Sequence, residues 1–252
     1  MTLSMFDCNC MIGMRADRKL GEPWSLEQLR ADMQSCGIAE ALVTHAMSRD
    51  LDPATGNREL CRLLSGSRNL FGCWAILPPA THELGNPAAF VREMCAHNVA
   101  AAIAFPHTHN YSLSDWSLNP LLTALASAHI PLLLPFTQFS WDEVERLCSG
   151  YPDMPFIVTG LNYRQLRYLL PLWEKRTNLY VDLSWFSIND GLSYLSERGL
   201  NAQVLFGTNY PLYDPGAAVT MVTYARLADK EKSAVAGGTL RNIINGIRRD
   251  RL

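Results

Sequence analysis

The sequence predicts an α/β fold and, within that class, a closed (β/α)8 TIM barrel. Eight short apolar runs, rich in strand-forming residues, recur along the chain, and segments with helical spacing lie between them. The runs are 3–7, 40–44, 70–77, 99–105, 131–136, 155–159, 178–183 and 203–206. They are apolar throughout, as is typical of parallel strands covered on both faces. Eight such units favour closure over an open sheet.

Helix boundaries agree with this alternation. Residues 25–28 and 140–143 have the capping-box pattern, in which a serine hydroxyl accepts from the N3 amide and the N3 side chain reaches back. Gly37, Gly66 and Gly150 fall where the intervening helices are expected to end. An open doubly wound sheet is the alternative, but no Gly-x-Gly-x-x-Gly follows an early strand.

Composition sets the general class. The 252 residues are 48% hydrophobic, which suits one barrel domain over residues 1–252. A net charge of -2 without a basic cluster argues against nucleic-acid binding. The longest apolar stretches are too short to span a bilayer, so we expect no membrane insertion. Seven cysteines do not suggest a disulfide framework, and a cytoplasmic location is expected.

Reactive groups of a parallel barrel sit where its strands end, and polar residues cluster there. His45 follows the second predicted strand, His107 and His109 follow the fourth, Asp182 ends the seventh, and Asn209 follows the eighth. We expect a shared cavity that also contains Cys8. His107 is the first candidate for proton transfer, because it follows its strand immediately. Packing of a rim histidine against its own loop is the alternative.

The remaining candidates receive supporting roles. Asp182 is placed to pair with a histidine and raise its basicity, so Asp182 and His45 join His107 as catalytic candidates. His109 and Asn209 are candidates for substrate binding. Arg49 and Arg58 flank the loop after the second strand and would steer an anionic substrate. Exposed loop arginines without such a role are the alternative.

Three sequence motifs carry a resemblance to a known family. They are Phe6-Asp7-x-Asn9-x-x-x-Gly13, Leu205-Phe206-Gly207-Thr208-Asn209-Tyr210-Pro211 and Gly237-Gly238-Thr239-Leu240-Arg241-Asn242-Ile243-Ile244. With these motifs the chain resembles the amidohydrolase-related branch of the amidohydrolase superfamily, along nearly its whole length. The resemblance implies a metal-dependent-hydrolase-like barrel. Members bind metal through a His-x-His after the first strand, histidines after the fifth and sixth, and an aspartate after the eighth.

This chain departs from the metal pattern at every position. Cys8 and Cys10 are matched to the His-x-His, positions near Phe136 and Gly160 to the two single histidines, and Asn209 to the aspartate. We therefore expect the binuclear metal site to be lost or rebuilt and no cofactor to be bound. A single zinc ion held by Cys8 and Cys10 is the alternative, since thiolates are good zinc ligands. Buried packing is the more common fate of such cysteines.

The resemblance implies a hydrolase or decarboxylase that acts on a small carboxylate, carbonyl compound or lactone. The alternative is a non-catalytic barrel that binds a small ligand or a protein partner. A small molecule is therefore the expected partner, and assembly into a homo-oligomer stays open.

Overall fold

The computed structural model describes residues 3–186, 188 and 190–249. Its framework is one eight-stranded parallel sheet whose strands neighbour one another in chain order. The strands are β1 (Met5–Ile12), β2 (Ile38–His45), β3 (Leu70–Ile76), β4 (Val99–Ala104), β5 (Leu132–Pro135), β6 (Phe156–Thr159), β7 (Leu179–Asp182) and β8 (Val204–Leu205). All eight predicted strands are present.

The sheet closes on itself between its last and first strands. The Cys8 amide donates to the Phe206 carbonyl at 3.0 Å, and the Met11 amide donates to the Tyr210 carbonyl at 2.8 Å. A parallel bridge between Cys10 and Tyr210 lies between these two bonds. The barrel prediction is confirmed, and these closing contacts exclude the open doubly wound sheet.

Helices cover the outside of the barrel. They are α1 (Leu26–Cys36), α2 (Ala46–Asp50), α3 (Pro53–Leu64), α4 (Pro87–Ala96), α5 (Asp115–Ser127), α6 (Trp141–Gly150), α7 (Leu166–Trp173), α8 (Gly191–Glu197), α9 (Pro215–Thr223), α10 (Asp229–Ser233) and α11 (Thr239–Asn245). Both predicted capping boxes, at Ser25 and Ser140, are formed, and Gly37 ends α1 in the left-handed conformation. Within the described ranges, none of these helices has the length and apolarity that crossing a membrane requires.

Large apolar side chains fill both the barrel interior and the space between strands and helices. Phe6, Phe156, Phe206 and Trp173 are each almost fully buried. Burying one such side chain contributes about 1.5–3 kcal/mol, so this packing holds the strand ends in fixed positions. The carboxyl ends of the strands thereby form a rigid base for a site.

The first strand differs from its prediction in a way that matters for the site. It runs on to Ile12 instead of ending at Asp7, so Cys8 and Cys10 lie within it. Asp7 pairs with Ala41 of β2 and Cys10 pairs with Val43, which leaves one extra residue on β1 between them. Such a bulge re-aims the side chains around it.

Candidate functional site

A cavity of about 440 Å³ opens at the carboxyl ends of the strands. Asn9 and Met11 of β1, Thr159 at the end of β6, Gly160 and Asn209 contribute to its lining. This is the end of a (β/α) barrel at which substrates bind, because the loops that vary in sequence meet there.

A buried carboxylate lies directly beneath the polar part of this cavity. Asp182 is completely buried at the end of β7. Its Oδ1 accepts from the Gly160 amide at 2.9 Å, and its Oδ2 accepts from Ser184 Oγ at 2.8 Å and from Asn9 Nδ2 at 3.0 Å. Burial raises the pKa of Asp182 to about 6, although the three hydrogen bonds oppose that rise. This carboxyl group therefore changes its protonation close to neutral pH.

A second buried carboxylate fixes the closing loop. Asp7 accepts from Thr208 Oγ1 at 2.5 Å and from the amides of Thr208 and Asn9, each at 3.0 Å. Burial raises its pKa, and these hydrogen bonds favour the charged form against it. Asp7 thus joins β1 to the segment after β8, which carries Asn209.

Close backbone approach explains the glycine of the motif after β8. A Cβ atom on Gly207 would lie 2.9 Å from Asp182 Cβ and 3.0 Å from Cys8 Sγ. Two residues later, Asn209 adopts a φ of 54°, a left-handed conformation that asparagine tolerates better than most residues. Its Oδ1 accepts from Asn9 Nδ2 at 3.4 Å. Asn9 therefore connects the buried carboxylate to Asn209 at the cavity surface.

Charged side chains line the outer part of the cavity, and each has an opposite charge beside it. Arg15 pairs with Asp17 at 2.9 Å and with Glu22 at 3.0 Å. Arg49 pairs with Asp50 at 2.6 Å and with Asp17 at 3.0 Å. Two guanidinium groups thus face three carboxylates.

Aromatic side chains form the walls. Phe105 and Phe136 lie on one side, and Trp185 and Tyr213 contribute from the loops after β7 and β8. The rings of Trp185 and Tyr213 are 6.1 Å apart between centroids. Such a cavity accommodates a planar molecule, since aromatic faces favour stacking.

The three candidate histidines are not among the described lining residues of the cavity. His107 is exposed, and its Nδ1 is 2.8 Å from the Thr137 carbonyl oxygen. His109 Nε2 is 2.9 Å from the Arg49 carbonyl oxygen. His45 is buried, and its Nδ1 accepts from the Met47 amide at the start of α2. Burial lowers the pKa of His45 and of His109.

The two candidate arginines separate in the structure. Arg49 lines the cavity, where carboxylates neutralise it. Arg58 is exposed on α3 and donates to Thr55 Oγ1 of the same helix at 3.0 Å. Of the seven predicted site residues, Asn209 and Arg49 line the cavity, and Asp182 lies beneath it.

Comparison with known proteins decides the family. The family model described as Amidohydrolase matches residues 28–239, most of the chain. The chain belongs to the amidohydrolase family. No curated protein sequence gives a significant match.

Solved structures similar to this amidohydrolase-family barrel share its fold at low sequence identity. An uncharacterized TIM-barrel protein from Bordetella bronchiseptica matches with a TM-score of 0.76 and 15% identity, over 97% of this chain and 99% of that one. A 5-carboxyvanillate decarboxylase from Novosphingobium aromaticivorans, complexed with manganese and 4-hydroxy-3-methoxy-5-nitrobenzoic acid, matches with 0.76 and 14%, over 96% of each chain. A probable 2-pyrone-4,6-dicarboxylic acid hydrolase from Acinetobacter baumannii matches with 0.67 and 8%, over 96% and 100%.

The cavity residues of this family member do not suit the divalent metal that the family implies. The β1 side chains that line the cavity are Asn9 and Met11, and Asn209 follows β8. Amide and thioether groups are weak partners for zinc or manganese, which take histidine nitrogens and carboxylates. Asp182 and Asp7 already accept hydrogen bonds from the chain at both oxygens. Within the described residues, no three histidine, cysteine or acidic side chains are grouped as a metal site.

Cys8 and Cys10 are buried inside β1, and they are absent from the described cavity lining. Burial, together with the nearby aspartates, raises the pKa of both thiols well above the ordinary value. Thiols bind zinc as thiolates, so this environment disfavours the zinc alternative. The β1 residues that line the cavity are Asn9 and Met11. They are two positions apart, as the histidines of a His-x-His are, and each lies one residue after the cysteine that was matched to that motif.

Asn9, Arg15 and Asp17 line the cavity but are not among the site residues predicted from the sequence, although Asn9 belongs to the first motif. Alternation in β1 leaves two possible pairs, residues 8 and 10 or residues 9 and 11, and pattern alone does not choose between them. The bulge after Asp7 and the hydrogen bond from Asn9 to Asp182 make the choice. Arg15 and Asp17 lie in a loop without a periodic signal.

Proposed function

We propose that this chain is an enzyme of the amidohydrolase family, a hydrolase or decarboxylase. Its small carbonyl- or carboxylate-bearing substrate binds in the cavity at the carboxyl ends of the strands, here called the mouth cavity. The observation that carries the proposal is the polar cavity floor, in which Asn9 joins the buried Asp182 to Asn209. A cavity of about 440 Å³ has the volume of a small-molecule site. The decarboxylase and the probable hydrolase among the similar structures support the same class of reaction.

The floor offers stabilisation of negative charge. Asn209 Nδ2 has no hydrogen-bond partner within the described chain, and its side chain lines the cavity. An amide donor held by the protein stabilises the oxyanion that forms when a carbonyl is attacked, or the charge left when carbon dioxide departs. Asp182 acts in this proposal as a positioning residue, because it fixes Asn9 and through it Asn209.

Ligand binding without turnover is the second candidate. Its supporting observation is the position of the histidines: His45, His107 and His109 are absent from the described cavity lining. The carboxylates that do line it, Asp17 and Asp50, are paired with arginines. A cavity with a polar floor and without a free base binds a ligand more readily than it transfers a proton.

One screen separates these candidates. Purified protein is incubated with a panel of small lactones and carboxylated aromatics, ligand binding is followed by thermal shift, and products are followed by mass spectrometry. The enzyme proposal requires a ring-opened or decarboxylated product. Stabilisation without a product would support the binding function instead, and a panel that neither binds nor reacts would contradict both.

Two asparagine variants test whether the observed binding or turnover depends on the cavity floor. Asn209→Asp retains the size of the side chain and removes its amide donor, so turnover is expected to fall by about 10²–10³-fold, as for loss of one oxyanion donor. Asn110→Asp is the matched control, because Asn110 is exposed and has a similar φ of 55°. Equal loss in both variants would show that the floor is not the reactive site.

A further inference from the structure

The orientation of the Asn9 amide is set by the carboxylate beneath it. Above its pKa of about 6 the carboxylate of Asp182 is ionised and only accepts hydrogen bonds, so the group of Asn9 that faces it at 3.0 Å is the donor Nδ2. The same Nδ2 donates to Asn209 Oδ1 at 3.4 Å. This second contact orients the Asn209 amide in turn, with its oxygen toward Asn9.

Each amide is left with one group for a ligand. The contacts given above use Asn9 Nδ2 and Asn209 Oδ1. Within the described chain, Asn9 Oδ1 accepts no hydrogen bond and Asn209 Nδ2 donates none. Neither atom is among the buried polar atoms that lack a partner, so both reach accessible space. Both residues line the cavity. The floor thus presents one acceptor and one donor on two side chains whose amides contact each other at 3.4 Å.

The charge around the cavity favours an uncharged ligand. Its cationic lining groups, Arg15 and Arg49, contact Asp17, Glu22 and Asp50 at 2.6–3.0 Å. The two carboxylates of the lining, Asp17 and Asp50, balance its two guanidinium groups, so a carboxylate ligand would have to displace one of these anions. Like charges at such distances repel, and a carboxylate that loses water without gaining a cation binds poorly.

We infer that the cavity recognises a small neutral planar ring carrying a secondary amide, in which an N–H donor adjoins a carbonyl acceptor. The ring carbonyl accepts from Asn209 Nδ2, and the ring N–H donates to Asn9 Oδ1. The aromatic walls formed by Phe105, Phe136 and Trp185 favour a flat ring. This inference deepens the proposed function and depends on it, because it selects lactam-like rings from the wider class of carbonyl compounds.

Three probes of similar size test the inference: 2-pyridone, which has the donor and the acceptor, 2-pyrone, in which ring oxygen replaces the N–H, and benzoate, which is an anion. Dissociation constants are measured by NMR-detected titration of the full chain. We expect 2-pyridone to bind about tenfold tighter than 2-pyrone, because 2-pyrone leaves Asn9 Oδ1 desolvated and unpaired. Benzoate is expected to bind more weakly than 2-pyridone.

Variants assign the effect to the two amides. In Asn209→Asp the donor is lost and a negative charge faces the ring carbonyl, so 2-pyridone affinity is expected to fall by at least about tenfold. Asn110→Asp is the control and is expected to leave the affinity unchanged. Circular dichroism melts of each variant establish that the fold is retained.

The possible failures are distinguishable. If 2-pyrone or benzoate binds as tightly as 2-pyridone and Asn209→Asp weakens all binding, the lactam inference is overturned and the mouth cavity remains the ligand site. If 2-pyridone binds equally well to wild type and to Asn209→Asp, the Asn209 amide does not recognise the ligand and the inference is overturned. If none of the three probes binds, both the inference and the proposed site are contradicted.

Discussion

Asn9 Nδ2 lies 3.0 Å from Asp182 Oδ2, a contact between residues 173 positions apart that joins the first strand to the seventh. It places an uncharged amide where a carboxylate and a cavity meet. The sequence around Asn9 or around Asp182 does not predict this contact. The pH dependence expected of the site comes from the burial of Asp182, which raises its pKa against this hydrogen bond.

Stability should fall as the pH rises from about 4 to about 6. The folded-state pKa of Asp182 is about 6, above the ordinary value of 3.8, so in this interval the folded chain binds more protons than the unfolded chain. The stabilisation present at low pH is thus lost as Asp182 ionises. Two pKa units correspond to on the order of 3 kcal/mol in the free energy of unfolding.

Urea denaturation at pH 4, 5, 6 and 7 measures this dependence. Asp182→Asn should flatten most of it, and the remainder is assigned to Asp7, whose pKa is also raised. Asp153→Asn, at an exposed position, is the control and should keep the wild-type slope. An Asp182→Asn protein with the full slope would contradict the assignment.

Loss of the Thr208 hydroxyl should destabilise the closing loop. Thr208→Val removes the donor to Asp7 Oδ2 and leaves a buried carboxylate underbonded, which costs about 1–3 kcal/mol. Thr208→Ser keeps the hydroxyl and should cost much less. Chemical denaturation of both variants makes the comparison, and equal losses would show that the methyl group matters more than the hydrogen bond.

Arg15 should matter more to stability than a typical surface arginine. Its side chain is only 5% exposed and pairs with Glu22, which is 8% exposed. Arg15→Met leaves that buried carboxylate without its cation and should cost about 3–5 kcal/mol. Arg62→Met is the comparison, because Arg62 is 68% exposed and solvent screens its ion pair with Glu59, so this substitution should change stability little. Similar melting temperatures for the two variants would count against a structural role for the Arg15 pair.

Replacement of His107 tests the strongest histidine candidate. A general acid or base at this position would make His107→Gln lose about 10²–10⁴-fold in turnover. Because His107 is exposed and lies against the Thr137 carbonyl, we expect a change of less than about threefold, once a substrate is found by the screen. A loss of two orders of magnitude with the fold retained would restore His107 to the active site.

Metal content should be low after purification. The cavity floor presents amide and thioether groups, and the carboxylates of the lining, Asp17 and Asp50, are paired with arginines. We therefore expect well under one zinc or manganese ion per chain by elemental analysis. Incubation with a chelator should leave the melting temperature unchanged. Two stoichiometric divalent ions per chain would contradict this expectation, and one zinc ion per chain would support the Cys8 and Cys10 site.

The sequence by itself determined the barrel and the end at which its site lies. Apolar runs and helical spacing depend on neighbours in the chain, and each capping box, such as those at Ser25 and Ser140, depends on two residues three positions apart. Eight repeats of one such unit leave few ways to bury every strand. The positions of Asp182 and Asn209 at the carboxyl ends of strands follow from the same pattern.

Only the tertiary structure decided which side chains face the cavity and which groups pair there. The bulge after Asp7 and the closing bonds to Phe206 and Tyr210 set the orientation of β1, and they bring Asn9 rather than Cys8 to the surface of the cavity. The closing bonds join residues 198 and 199 positions apart, so no local pattern records them. The physical reason is that pairing across the closed barrel, and not the spacing along one strand, determines where each side chain points.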